Sequence, residues 1–164
     1  MDNFRGFPQA DFDDIISANS HFAAGFQHSE LTGTARKGLA IVTCMDSRIS
    51  PLDVVGMQAG DAKILRNAGA RVTEDVLRTL VLASYLLGVT RVLVMPHTDC
   101  RMAISDEASI HTTIKDQFGV DTSSLEFRTD GNAWRVEVNP EFAAIAIFRN
   151  ARFIEARFLF SPQS

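Results

Sequence analysis

The sequence is poor in cysteine, with two in 164 residues, and has one tryptophan and one tyrosine. Two cysteines cannot build the multi-bridge framework that staples small secreted domains. No run of about eighteen apolar residues is present, which excludes a conventional membrane-spanning helix. Cationic excess is missing too: 16 Lys and Arg face 20 Asp and Glu, for a formal charge of −4. Without a basic cluster, neither nucleic acid nor a membrane surface is an expected partner. The opening residues Met1-Asp2-Asn3-Phe4-Arg5 lack the basic and apolar regions of a secretory signal, so the expected location is cytoplasmic. What is present is the composition of a globular protein, 46% hydrophobic and 22% charged, with a length suited to one core.

Phenylalanine supplies most of the aromatic content, and it is concentrated early, at Phe4, Phe7, Phe12, Phe22 and Phe26. Residues 1–34 read as an N-terminal arm, with helical spacing over 11–26 and exposed aromatics that suit an oligomer interface. Packing of the arm on its own domain is the alternative. Residues 35–164 read as an α/β domain. The apolar run 39–44 has the pattern of a strand buried on both faces, as parallel sheets require. A short helix is expected over 50–55, with Pro51 in its first turn, and a second strand over 62–65. The firmest helical pattern covers 74–87, where Val76, Leu77, Leu80, Val81, Ser84 and Leu87 recur at helical spacing. Thr73 is its expected N-cap and Gly88 its terminator. Strand follows at 89–95, completing a βαβ unit. A helix over 106–118, closed by Gly119, precedes a polar loop over 121–132. Residues 133–138 are ambiguous, 142–148 are apolar, and 152–160 are expected to form a last strand.

In a parallel sheet, reactive groups collect at the carboxyl ends of strands. Cys44 ends the first strand, and His97 and Cys100 follow the later one, in His97-Thr98-Asp99-Cys100. Such cysteines are ordinarily inert core thiols or a disulfide. Here, neighbouring strands would bring two thiols and an imidazole to one point. That donor set suits zinc, and three protein ligands with an open position mark a catalytic rather than a structural site.

Cys44-Met45-Asp46-Ser47-Arg48 together with His97-Thr98-Asp99-Cys100 resembles the paired Cys-x-Asp-x-Arg and His-x-x-Cys motifs of β-class carbonic anhydrases. Arg66-Asn67-Ala68-Gly69 resembles the segment between those motifs, and Glu137 to Asn139 matches plausibly. The likeness covers residues 39–102 and is greatest to short bacterial- and fungal-type members. It implies a mostly parallel β-sheet flanked by helices, assembled as a homodimer or a dimer of dimers. It implies one Zn2+ per chain, held by Cys44, His97 and Cys100, and reversible hydration of carbon dioxide to bicarbonate by a zinc-bound hydroxide. Asp46 and Arg48 match the family's catalytic dyad, with Asp46 a possible fourth ligand in a closed state. Arg66 and Gly69 fall beside the substrate pocket. Asp99 is expected to cap the helix near Met102, and His21, His28 and His111 to have surface or structural roles.

One position departs from that pattern: Arg101 replaces the glycine that usually follows the second zinc cysteine. The expectation is that Arg101 lowers the hydration rate. The C-terminal segment Arg149-Asn150-Ala151-Arg152-Phe153 also lacks the family's glycine. Two other readings stand beside carbon dioxide hydration. One is hydrolysis of carbon disulfide or carbonyl sulfide on the same site, and the other is a zinc-binding paralogue with little or no activity.

Overall fold

The structure is a computed structural model that describes residues 9–129 and the backbone of 152–155. The chain divides into two compact units, Met1–Leu31 and Thr32–Ser164. In the first unit a 3₁₀ turn at Gln9–Phe12 leads into helix α1, Asp13–Ala24. Asp13 and Asp14 in its first turn complement the positive helix terminus. No residue of α1 is buried, and Ile15, Ile16 and Phe22 are exposed along it.

The second unit is built on a parallel sheet. Its strands are β1 (Leu39–Cys44), β2 (Ala62–Asn67), β3 (Arg91–Met95) and β4 (Arg152–Glu155), in the order β2-β1-β3-β4. The apolar run of β1 is explained by its central place, because all six of its residues are buried. Helix α2 is Pro51–Val54 with Pro51 in the first turn, and α3 is Glu74–Leu86. Thr73 occupies the N-cap of α3 without a side-chain bond, and Gly88 follows the helix at φ 74°. The short helix α4 is Arg101–Ile104, and α5 is Glu107–Phe118. The side chain of Asp106 caps α5 by accepting from the backbone N–H of Ser109, and Gly119 ends the helix at φ 69°.

The pleat of the sheet divides the core in two. Ala40, Val42, Val92 and Val94 pack with Val76, Leu77, Leu80 and Ala83 of α3. Leu39, Ile41 and Met95 pack in a second cluster with Ile49, Met102, Cys44 and Cys100. Burying one such aliphatic side chain stabilises the fold by about 2 kcal/mol. The second cluster therefore buries the two cysteines among aliphatic side chains. Among the described residues, no helix is long and apolar enough to cross a membrane.

The expectations at 133–138, 137–139 and 142–148 lie outside the described residues. Of the expected last strand over 152–160, the stretch Arg152–Glu155 is a strand, parallel to β3.

Candidate metal centre

Parallel pairing places the reactive segments side by side. Thr43 lies opposite Met95 in the β1–β3 register, so Cys44 at the end of β1 faces the chain leaving β3 toward His97. The buried Thr43 Oγ1 donates to the Met95 carbonyl at 2.9 Å and pins the two strand ends together. Among the described residues, Cys44, His97 and Cys100 form a group whose ligand atoms all lie within 4.8 Å of one another.

The two cysteines are not a disulfide. Both are free and buried, with their Sγ atoms 3.9 Å apart. Two Zn–S bonds of about 2.3 Å at a tetrahedral angle span about 3.8 Å, so the sulfur pair already has chelating separation. Burial pushes the Cys100 thiol above its ordinary range, and the neighbouring Cys44 adds to the shift. A cation between the two sulfurs would favour the thiolate form of Cys100. The His97 ring has a defined role as well. Its Nδ1 lies 2.7 Å from the Thr98 carbonyl, which can only accept, so Nδ1 is the donor and Nε2 is the nitrogen available for a metal. The donor set and its geometry fit a tetrahedral metal ion.

Gly69 supports the first of these sulfurs. Its N–H points at Cys44 Sγ, 3.4 Å away, from a turn that the Asn67 side chain closes on the Arg71 backbone at 2.6 and 2.8 Å. Gly69 has φ 78°, and a Cβ there would lie 2.8 Å from Met102 Cβ. Only glycine allows that close approach.

Asp46 and Arg48 form a two-pronged ion pair. Arg48 Nη2 donates to Asp46 Oδ2 at 2.7 Å and Nε donates to Oδ1 at 3.0 Å, while the Arg48 backbone N–H donates to Oδ1 at 2.9 Å. These donors hold the Asp46 carboxyl well below the usual carboxylate range. The pair stands beside the ligand cluster, with Asp46 Oδ2 3.8 Å from His97 Nε2.

Arg66 reaches the same loop from β2. Its guanidinium donates to the carbonyls of Cys44 (2.9 Å), Ile49 (3.2 Å) and Asp46 (2.5 Å). A single cation thus ties down the backbone of the loop that carries Cys44 and Asp46. Arg101 begins α4 with an exposed side chain that makes no hydrogen bond or ion pair among the described residues. His21 and His28 are exposed, and His111 bonds Thr122 Oγ1 at 2.8 Å, away from the cluster.

Asp99 departs from expectation. It does not cap α4, whose N-cap is Cys100 with no side-chain bond. Asp99 instead turns to Arg48, with Oδ2 accepting from Nη1 at 3.3 Å. Its backbone has φ 55°, a left-handed value that Asp tolerates better than most side chains. A helix-start pattern hid this contact, because Asp before a short helix ordinarily signals a cap.

A parallel α/β sheet with a Cys, His, Cys cluster at its strand ends and an Asp–Arg pair beside it defines a class of candidate metalloenzyme. Comparison with known proteins makes the class specific. The carbonic anhydrase family model matches residues 39–124. Beta-carbonic anhydrase 1 of Mycobacterium tuberculosis is 36% identical over 135 residues, covering 78% of this chain and 82% of that protein. A carbonic anhydrase structure from Streptococcus mutans superposes with a TM-score of 0.73 at 33% identity, covering 90% of this chain and 91% of the other. A carbon disulfide hydrolase of Acidithiobacillus thiooxidans is 32% identical over 94 residues, 56% of this chain and 47% of that protein. The chain belongs to the β-carbonic anhydrase family, enzymes whose general reaction is the reversible hydration of carbon dioxide.

Proposed function

We propose that this chain hydrates carbon dioxide reversibly to bicarbonate and a proton, using one Zn2+ held by Cys44, His97 and Cys100. The observation that carries the reading is the carboxylate of Asp46, fixed by Arg48 beside three converging ligand atoms. Bound zinc would supply the Lewis acidity that makes hydroxide available as a nucleophile near neutral pH. As thiolates, Cys44 and Cys100 would balance the charge of the divalent ion, so the site depends on its neighbours to orient the attack. Asp46 is an ionised acceptor. It would take a hydrogen bond from the nucleophile and aim a lone pair at the substrate carbon. Arg48 would keep that carboxylate in place through its fork of donors. A carbon–oxygen bond forms, the displaced electron pair moves to a substrate oxygen, and the proton leaves to solvent. Gly69 would support the Cys44 sulfur, and Arg66 would hold the backbone of the loop bearing Asp46. Were Asp46 released from Arg48, its carboxylate would be a candidate fourth ligand in a closed, inactive arrangement.

Arg101 is proposed to lower the rate by placing a cation beside Cys100, where the family resemblance implies glycine. The arm, residues 1–34, is proposed to join chains into a homodimer or a dimer of dimers, in the cytoplasm. Similarity to carbon disulfide hydrolases favours a second reading, attack on carbon disulfide at the same site. Stopped-flow hydration with zinc quantification tests the first. One zinc per chain and turnover that disappears in Cys44→Ser supports it. Zinc without turnover from neutral to alkaline pH supports an inactive paralogue, and sulfide release from carbon disulfide without carbon dioxide hydration supports the second reading.

A further inference from the structure

We propose that Asp99 is a positioning residue that locks the Asp46–Arg48 pair to the loop carrying His97 and Cys100. The proposal rests on the catalytic reading above and deepens it. Asp46 and Arg48 are two residues apart, so their mutual bonds tie the loop after β1 only to itself. A pair held that way moves as one body. Arg48 crosses to the opposite loop through hydrogen bonds to Asp99, 51 positions away in sequence.

The geometry of the guanidinium makes the tie effective. Arginine presents five N–H donors in one plane. Nε and Nη2 are engaged by Asp46, Nη1 donates to Asp99 Oδ2 at 3.3 Å, and Nη2 also lies 3.4 Å from the Asp99 carbonyl. Two edges of the plane are therefore held by two loops, an arrangement that opposes rotation about the Arg48 side-chain axis. The side chains of Arg48 and Asp99 are 61% and 74% exposed, so the ion pair itself contributes little to stability. Its consequence is alignment. The left-handed backbone of Asp99, φ 55°, belongs to the segment that turns this side chain toward Arg48 while Cys100 faces the cluster.

Asp99→Gly removes the carboxylate and keeps a residue at ease with positive φ, while Asp99→Asn keeps the shape and removes the charge. In metal-free protein, solvent exchange of the Arg48 Nε–H, measured by NMR and assigned with Arg48→Lys, is expected to quicken several-fold in Asp99→Gly and less in Asp99→Asn. In zinc-loaded protein, kcat/KM for carbon dioxide is expected to fall about tenfold in Asp99→Gly, with zinc still at one per chain. Unchanged exchange in both variants overturns the proposal. So does quickened exchange with unchanged kcat/KM in an active parent, and so does failure of both variants to fold, which would make Asp99 merely structural. If the parent hydrates no carbon dioxide but exchange quickens as expected, the catalytic reading falls and the locking role of Asp99 stands.

Discussion

At the scale of single residues, the site is arranged so that backbone and side chain carry comparable weight. Gly69 shows this most directly, since its N–H meets the Cys44 sulfur and its missing Cβ leaves room for Met102. Gly69→Ala would force either a left-handed alanine or a shift of the Met102 backbone. The expected cost is about 2 kcal/mol in denaturant unfolding of metal-free protein. Zinc affinity in a chelator competition should fall in the same variant, because the displaced segment begins two residues past Cys100. Arg101 behaves differently. Its exposed side chain is not paired with Asp46, whose donors come from Arg48. Any effect of Arg101 must then act through space or through access to the cleft, and solvent screens the first. Arg101→Gly is expected to raise kcat/KM by about twofold to threefold in stopped-flow assays. A variant no faster than the parent would remove Arg101 from the list of rate-setting residues. The cluster of Cys44, His97 and Cys100 was legible in sequence because cysteine and histidine at strand ends are rare and chemically specific. Arg66 was placed beside the site, but its contacts and those of Asp99 were not legible, because their partners are three backbone carbonyls and a guanidinium 51 positions away. Neither kind of partner leaves a mark on local sequence.

Elements were readable where local signals and tertiary packing agree. The strand at Leu39–Cys44 follows from an unbroken apolar run that needs burial on both faces, and it pairs with β2 on one side and β3 on the other. Helix α5 was equally plain, because a capping aspartate and a left-handed glycine frame it. Strand β2 reaches Asn67, two residues beyond its apolar stretch, because parallel pairing with β1 continues through Arg66 and Asn67. Pairing with a neighbour extended what side-chain pattern alone could not. The cap of α5 also yields a pH prediction. Hydrogen bonds from the Ser109 side chain and backbone hold the Asp106 carboxyl below its ordinary 3.8. A lowered folded value means that the stabilisation is fully present above the unfolded value and is lost as pH falls through the folded one. Asp106→Ala should therefore unfold at lower denaturant than the parent at pH 7. That gap should narrow once the pH drops below about 4, where the unfolded carboxyl takes up its proton. Denaturant midpoints of the metal-free proteins at pH 7 and pH 3 check it. A gap of equal size at both values would show that the cap acts without its charge.

For the whole molecule, the open question is what covers the apolar surface of the first unit. Phe12, Ile15, Ile16, Phe22 and Phe26 are all exposed, and α1 buries none of its residues. A helix with no buried face gains nothing from tertiary packing, and short helices are marginal in water on their own. Twelve residues with acidic groups in the first turn are not enough to explain a persistent helix. The physical remedy is a partner surface, and for a chain in this family that surface is proposed to be a second copy. Closed two-fold symmetry then buries both arms, one from each protomer. Ile15→Glu and Phe22→Glu place charges on apolar positions of the first unit and leave the sequence of the second unit unchanged. Light scattering after size exclusion is expected to give at least twice the 18.0 kDa chain mass for the parent. The double variant is expected to shift toward the single-chain mass while still binding one zinc per chain. If the variant keeps the parent's mass, the arm is not the interface, and its aromatics must be covered by its own chain. If the parent itself runs as a single chain, the proposed assembly is wrong at the outset, and the exposed arm would then be a surface for a different protein.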